Sequence, residues 1–155
     1  MPNAFLKKLH KDKVLQLVNP SSAIPAAYLK KSDSYLASAK LLLEHDRSEE
    51  AVSMAYYSMY YSVMALFYAT GIKCGNHAAA IILLDAVFQI DTSALERAKA
   101  ERIDKQYYVQ SAPVRDDIVA LIREAESFNP EILNVIDRLT NEKIGALRTK
   151  LKKLI

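Results

Sequence analysis

AVSMAYYSMYYSVMALFYATGI, residues 51–72, carries no charged side chain, and its reading decides the fold. A helix built from it is apolar on every side. With no face to give to solvent, it must lie at the centre of its domain or against a second subunit. The competing reading is a membrane span, because the stretch could cross a bilayer at about 1.5 Å per residue. Tyr56, Tyr57, Tyr60, Tyr61 and Tyr68, with Ser53, Ser58 and Ser62, argue against that. Each unpaired hydroxyl would cost on the order of 1–3 kcal/mol in hydrocarbon, and Tyr60 and Tyr61 would sit at the midplane rather than at the interfaces tyrosine favours. In a bundle surrounded by water the rings are buried and the hydroxyls find polar partners, which suits a subunit interface or a cleft wall.

Working outward, Asp46-Arg47-Ser48-Glu49 has the spacing of a capping box, and Gly71 suits the left-handed turn that ends a helix. Upstream, a helix from near Pro25 to about Glu44 aligns Leu29, Leu36, Ala39 and Leu43. Before it, Asn3 to about Val18 is expected as a short amphipathic helix ending at Asn19-Pro20. Downstream, Ile72–Gly75 reads as a loop and Asn76 as the cap of a helix from Ala78 to about Gln89. Ser93-Ala94-Leu95-Glu96 matches a second capping box, opening a helix that carries Ala98, Arg102 and Tyr108 before Pro113 interrupts it. Another helix covers Arg115 to about Phe128. Asn129-Pro130 then marks a turn, and Pro130 opens a last helix with Ile132, Ile136, Leu139, Leu147, Leu151 and Leu154 on one stripe. Three glycines, five prolines and no alternating β-branched runs complete an all-α pattern. The expected architecture is an antiparallel up-and-down bundle of four to five core helices with additional terminal helices, in one domain over residues 1–155.

The length of 155 residues allows a full core without metal or disulfide staples. Cys74 is the single cysteine, which fits a reducing compartment, and no apolar run of signal-peptide length follows Met1, so a cytoplasmic location is expected. The net charge of +3 is mild and gathers at the two ends: Lys7, Lys8, Lys11 and Lys13, then Lys143, Arg148, Lys150, Lys152 and Lys153. Such clusters could attract RNA or phosphate, but cations in the last turns of a C-terminal helix also complement its dipole, and that is the simpler reading.

Catalytic signatures are scarce. The sequence has no glycine-rich phosphate loop, no HExxH and no cysteine–histidine metal spacing, so neither a metal nor a cofactor is expected. His10 and His45 read as surface residues, whereas His77 falls at a predicted helix start, where the dipole disfavours its protonated form. The most suggestive cluster is Arg102-Ile103-Asp104-Lys105-Gln106-Tyr107-Tyr108. On a helix, Asp104 shares a face with Tyr108 and lies three residues before Tyr107. The plain reading is an Asp–Tyr hydrogen bond beside an exposed arginine. The functional one is a polar patch in which a guanidinium binds phosphate or a base and phenol rings supply stacking surface.

Tyr35-x3-Ala39-x2-Leu42, Ala51-x3-Ala55 with Tyr56 to Tyr61, Ala65-Leu66, Gly71, His77, Arg102-x-Asp104-x2-Tyr107 and Ala125-x2-Phe128 together resemble the HEPN domain over roughly Tyr28 to Phe128. In particular they resemble the small stand-alone HEPN proteins of prokaryotes. That resemblance implies a helical bundle that is usually a homodimer, often encoded beside a minimal nucleotidyltransferase in toxin–antitoxin or related defence modules. Its catalytic members are metal-independent ribonucleases with an Arg-x4–6-His signature brought together across the dimer. Here Arg102 fills the arginine slot, but Tyr107, Tyr108 and Val109 occupy the histidine spacings. An unperturbed tyrosine is about one part in a thousand ionised at neutral pH, and losing a general acid–base typically removes about 10²–10⁴-fold in rate.

The leading expectation is therefore a non-catalytic, dimeric protein that binds a nucleotide, RNA or a nucleotidyltransferase partner through Arg102, Asp104, Tyr107, Tyr108 and His77. Tyr56, Tyr57, Tyr60 and Tyr61 would then form its dimer interface. One alternative is a divergent ribonuclease using Arg102 with Tyr107, or with His77 brought in by the fold. Another is a helical dimerisation adaptor without a ligand.

Overall fold

The computed structural model describes residues 2–107 and 115–155, and side chains within 3–103 and 115–155. The elements are α1 (Pro2–Lys11), β1 (Leu15–Leu17), α2 (Ala23–Glu44), α3 (Ser48–Thr70), β2 (Ile72–Cys74), α4 (His77–Ala86), α5 (Ser93–Tyr107), α6 (Arg115–Asp137) and α7 (Asn141–Lys152). The described residues are mostly helical, as the sequence pattern requires.

The chargeless stretch is the central helix α3, and none of its residues from Ala51 to Thr70 is exposed. Helices α2, α5 and α6 pack around it. Tyr56, Met59, Leu66 and Phe67 are fully buried, each worth roughly 1.5–3 kcal/mol of transfer free energy. The serines of α3 find partners inside the bundle, as Ser58 Oγ donates to the Ser32 carbonyl at 2.8 Å and Ser62 Oγ to the Met59 carbonyl at 2.6 Å. Among the described residues, no helix is long and apolar enough to cross a membrane.

Gly71 ends α3 at φ 76°, as its position suggested, and Asn76 caps α4 by accepting from the Ala79 amide at 2.9 Å. Neither expected capping box forms. Asp46 takes a left-handed conformation (φ 58°) in the tight turn that closes α2, where the Arg47 amide donates to the Leu42 carbonyl. The Asp46 side chain lies 3.5 Å from Arg115 Nη1 instead of capping α3. At α5 the helix begins at Ser93, with the Thr92 carbonyl accepting from the Glu96 amide, and Asp91 Oδ1 accepts from the Ser93 amide and hydroxyl, so Ser93 is not the cap.

Two other expectations are corrected. The N-terminal helix stops at Lys11, and Lys13 (φ 60°) turns the chain into β1, which pairs antiparallel with β2 through Leu15–Cys74, Gln16–Lys73 and Leu17–Ile72. The segment from Ile72 is thus a strand rather than a loop. Pro130 opens no new helix, because α6 runs through it to Asp137 and the next helix begins after Thr140. The buried stripe Ile118, Leu121, Ile122, Ala125, Phe128 and Ile132 continues across the proline, and its packing outweighs the lost amide hydrogen bond.

Candidate functional site

Three helices bring their polar groups together beside the middle of α3. His77 is the first residue of α4, fixed there by the Asn76 cap. Its ring stacks on Tyr60 with centroids 4.0 Å apart and planes at 16°, and meets Tyr57 edge-on at 6.0 Å. Its Nδ1 lies 2.6 Å from the Tyr56 hydroxyl. From α5, the Arg102 guanidinium carbon lies 5.1 Å from the Tyr56 ring centroid and 5.4 Å from that of Tyr57, and Nη1 donates to the Tyr57 hydroxyl at 3.3 Å. Arg102 and His77 therefore meet on the same pair of tyrosines, although they are far apart in sequence.

Electrostatics fix the protonation states. Burial pushes the Tyr56 phenol well up against the opposing pull of Arg102, so it stays protonated and needs an acceptor. Tyr56 has no accessible surface, and among the described residues its hydroxyl meets His77 Nδ1. Burial first, then Arg102 and Lys99, pull His77 below its ordinary value of 6.5, so it is neutral at pH 7. With Nδ1 accepting from Tyr56, the imidazole carries its proton on Nε2. The ring is thereby set up to donate a hydrogen bond, and its free lone pair is already engaged. A guanidinium, an imidazole N–H and the Lys99 charge thus lie close together, and phenol faces flank them. Among the described residues no group of three histidine, cysteine or carboxylate side chains could hold a metal ion.

Of the residues singled out from sequence, Arg102 and His77 come together. Asp104 and Tyr107 belong to α5, but their side chains lie outside the described residues, as does Tyr108 altogether. Of the tyrosines assigned to a dimer interface, Tyr56 and Tyr60 are buried within the chain, whereas Tyr57 and Tyr61 keep accessible surface. Tyr56, Tyr57 and Tyr60 also form the wall of the Arg102–His77 site, the cleft-wall role that the sequence left open beside the interface. Lys99 was missed, although its place three residues before Arg102 puts it on the same helix face.

The HEPN domain family model matches residues 26–135. A protein of Methanocaldococcus jannaschii, named only as a candidate toxin, is 25% identical over 120 residues, covering 73% of this chain and 89% of its own. A UPF0332 protein of Thermotoga maritima is 24% identical over 130 residues, 79% of this chain and 98% of its own. A UPF0332 protein of Pyrococcus horikoshii is 32% identical over 74 residues, 48% of this chain and 51% of its own.

Proposed function

Since this chain belongs to the HEPN domain family, we propose that it acts as a dimeric, non-catalytic member that binds a phosphate-bearing ligand, a nucleotide or RNA, at Arg102 and His77. A nucleotidyltransferase is the protein partner we propose for it, in a toxin–antitoxin or defence module of a prokaryotic cytoplasm. A relative named as a candidate toxin supports that setting. The observation that carries the binding reading is the Tyr56–His77 hydrogen bond at 2.6 Å. It leaves the imidazole a donor to an anion and occupies the lone pair that proton abstraction would need. Arg102→Ala is expected to weaken binding of a phosphodiester ligand at least tenfold while the protein melts as before. Unchanged affinity removes Arg102 from the site. Sizing with light scattering is expected to give a dimer, and a monomer at micromolar concentration would sink that part of the reading.

A second reading is favoured by the meeting of Arg102 and His77 on one tyrosine pair: a metal-independent ribonuclease in which His77 stands in for the absent histidine. Cleavage of labelled single-stranded RNA in EDTA, lost in both Arg102→Ala and His77→Ala, would replace the binding reading with this one.

A further inference from the structure

Beyond Tyr57 the aromatic surface continues away from Arg102. Tyr57 stacks on Tyr61 (5.9 Å, 29°), Tyr61 on Tyr28 of α2 (5.8 Å, 25°), and Tyr28 on Tyr68 (5.7 Å, 12°). Tyr28 thus reaches from α2 into the gap that the α3 spacing leaves between Tyr61 and Tyr68. Tyr28, Tyr61 and Tyr68 then line a groove of about 450 Å³ whose other edge carries Lys13 and Lys73. Both lysines are exposed, Lys73 in the middle of β2 opposite Gln16 and Lys13 two residues before β1. Lys31, one turn along α2 from Tyr28, holds its ammonium 4.5 Å from the Tyr61 ring centroid. No acidic side chain lines the groove among the described residues.

The chemistry selects one class of occupant. Half-buried phenol faces accept flat, polarisable rings, and three ammonium groups without a carboxylate require negative charge beside them. An apolar peptide would have no use for the lysines, and a cationic ligand would be repelled by them. A base with its phosphate satisfies both halves, and repeated stacking platforms along a basic groove are how single strands are held without sequence preference.

We propose that this tyrosine ladder, with Lys13, Lys31 and Lys73, is a second binding track that holds successive bases of a single-stranded nucleic acid whose phosphodiester is gripped at Arg102 and His77. The inference rests on the Arg102–His77 reading for the first contact and extends it from a mononucleotide to a strand several nucleotides long. Tyr60 joins the two parts, stacking on His77 while also lining the groove.

The test is fluorescence anisotropy with labelled dinucleotides and strands of about ten nucleotides, a length typical of such tracks, in ribo and deoxy forms. The proteins are the wild type, Arg102→Ala, Tyr68→Ala and the double variant Lys13→Glu/Lys73→Glu. The lysines are solvated, so the double variant is expected to melt with the wild type. The wild type should bind the long strand at least tenfold tighter than the dinucleotide. The lysine variant should lose that advantage and keep its dinucleotide affinity, and Tyr68→Ala should lose about fivefold on the long strand alone. Equal wild-type affinity for both lengths, or a long strand indifferent to the lysine and tyrosine changes, overturns the track. Dinucleotide binding unaffected by Arg102→Ala overturns the Arg102–His77 reading instead, and the track is then judged on the lysine and tyrosine variants alone. Tighter ribo binding assigns the strand as RNA and equal binding assigns any single strand, both in keeping with the track.

Discussion

Ser32 and Ser58 exchange hydrogen bonds across the α2–α3 contact: Ser32 Oγ donates to the Ser58 carbonyl at 2.6 Å, and Ser58 Oγ to the Ser32 carbonyl at 2.8 Å. Both residues are buried, and Asn129 of α6 donates from Nδ2 to Ser58 Oγ at 2.9 Å, so three helices meet at one hydroxyl. Ser32→Ala removes one donor and is expected to cost about 1 kcal/mol. Ser58→Ala also strands the Asn129 amide, which adds about 1–3 kcal/mol. Thermal melts should therefore rank Ser58→Ala clearly below Ser32→Ala. Equal melting temperatures would mean that Asn129 draws no stability from the hydroxyl.

Gly71 is held in its left-handed turn by Arg148 of α7, whose Nη1 donates to the carbonyls of Gly71 at 2.8 Å and Val18 at 2.7 Å. A Cβ at Gly71 would collide with both that nitrogen and the Val18 oxygen. Gly71→Ala is expected to cost about 2 kcal/mol or more, combining left-handed strain with the clash. Arg148→Ala alone should also destabilise, by removing the donor to the carbonyls of Val18, just after β1, and Thr70, at the end of α3. Because the two changes share one contact, the double variant should lose less than the two single losses combined. Strict additivity in denaturant melts would refute the coupling.

The helical layout was legible where a local signal had no competitor. The chargeless run of α3, its stop at Gly71 and the Asn76 cap each carry their cause in adjacent residues. The β1–β2 pair was not, since three-residue strands have too short a pattern to read and Leu15 meets Cys74 across two intervening helices of chain. Pro130 misled for the opposite reason, because a strong local breaker was overridden by a core stripe running through it. At the site, Arg102 and His77 could be named by residue type. Their meeting depends on Tyr56 and Tyr57, which the sequence marks for an interface or a cleft wall without showing which charges reach them. Tyr28, Lys31 and Tyr35 show helical spacing along α2, yet nothing local reveals that they face the tyrosines of α3.

Ligand binding should consume a proton. His77 lies below its ordinary pKa through burial, Arg102 and Lys99. A bound phosphodiester offsets the two positive neighbours, so the histidine pKa is higher in the complex than in the free protein. Affinity then rises as pH falls through the pKa of the complex and levels off below that of the free protein. A dinucleotide is the right probe, since its phosphodiester does not titrate in this range. His77→Gln should flatten the profile, and a wild-type profile between about pH 5 and 7.5 no steeper than that of the variant would show that His77 takes up no proton on binding.

The same depression acts on stability with a definite sign. The unfolded chain binds a proton at His77 near pH 6.5, and the folded chain resists doing so until lower pH. Between the two values the unfolded state holds more protons, so His77 leaves stability intact above pH 6.5 and subtracts from it as pH falls below that value. All other titratable groups are the same in wild type and variant, so their effects cancel. The readout is therefore the difference between the wild-type and His77→Gln melting temperatures across pH. Burial and the charges of Arg102 and Lys99 together require that difference to shift against the wild type as pH drops through 6.5. A constant difference would show that His77 has the same proton affinity folded and unfolded, and the donor role assigned to its ring would then lose its electrostatic basis.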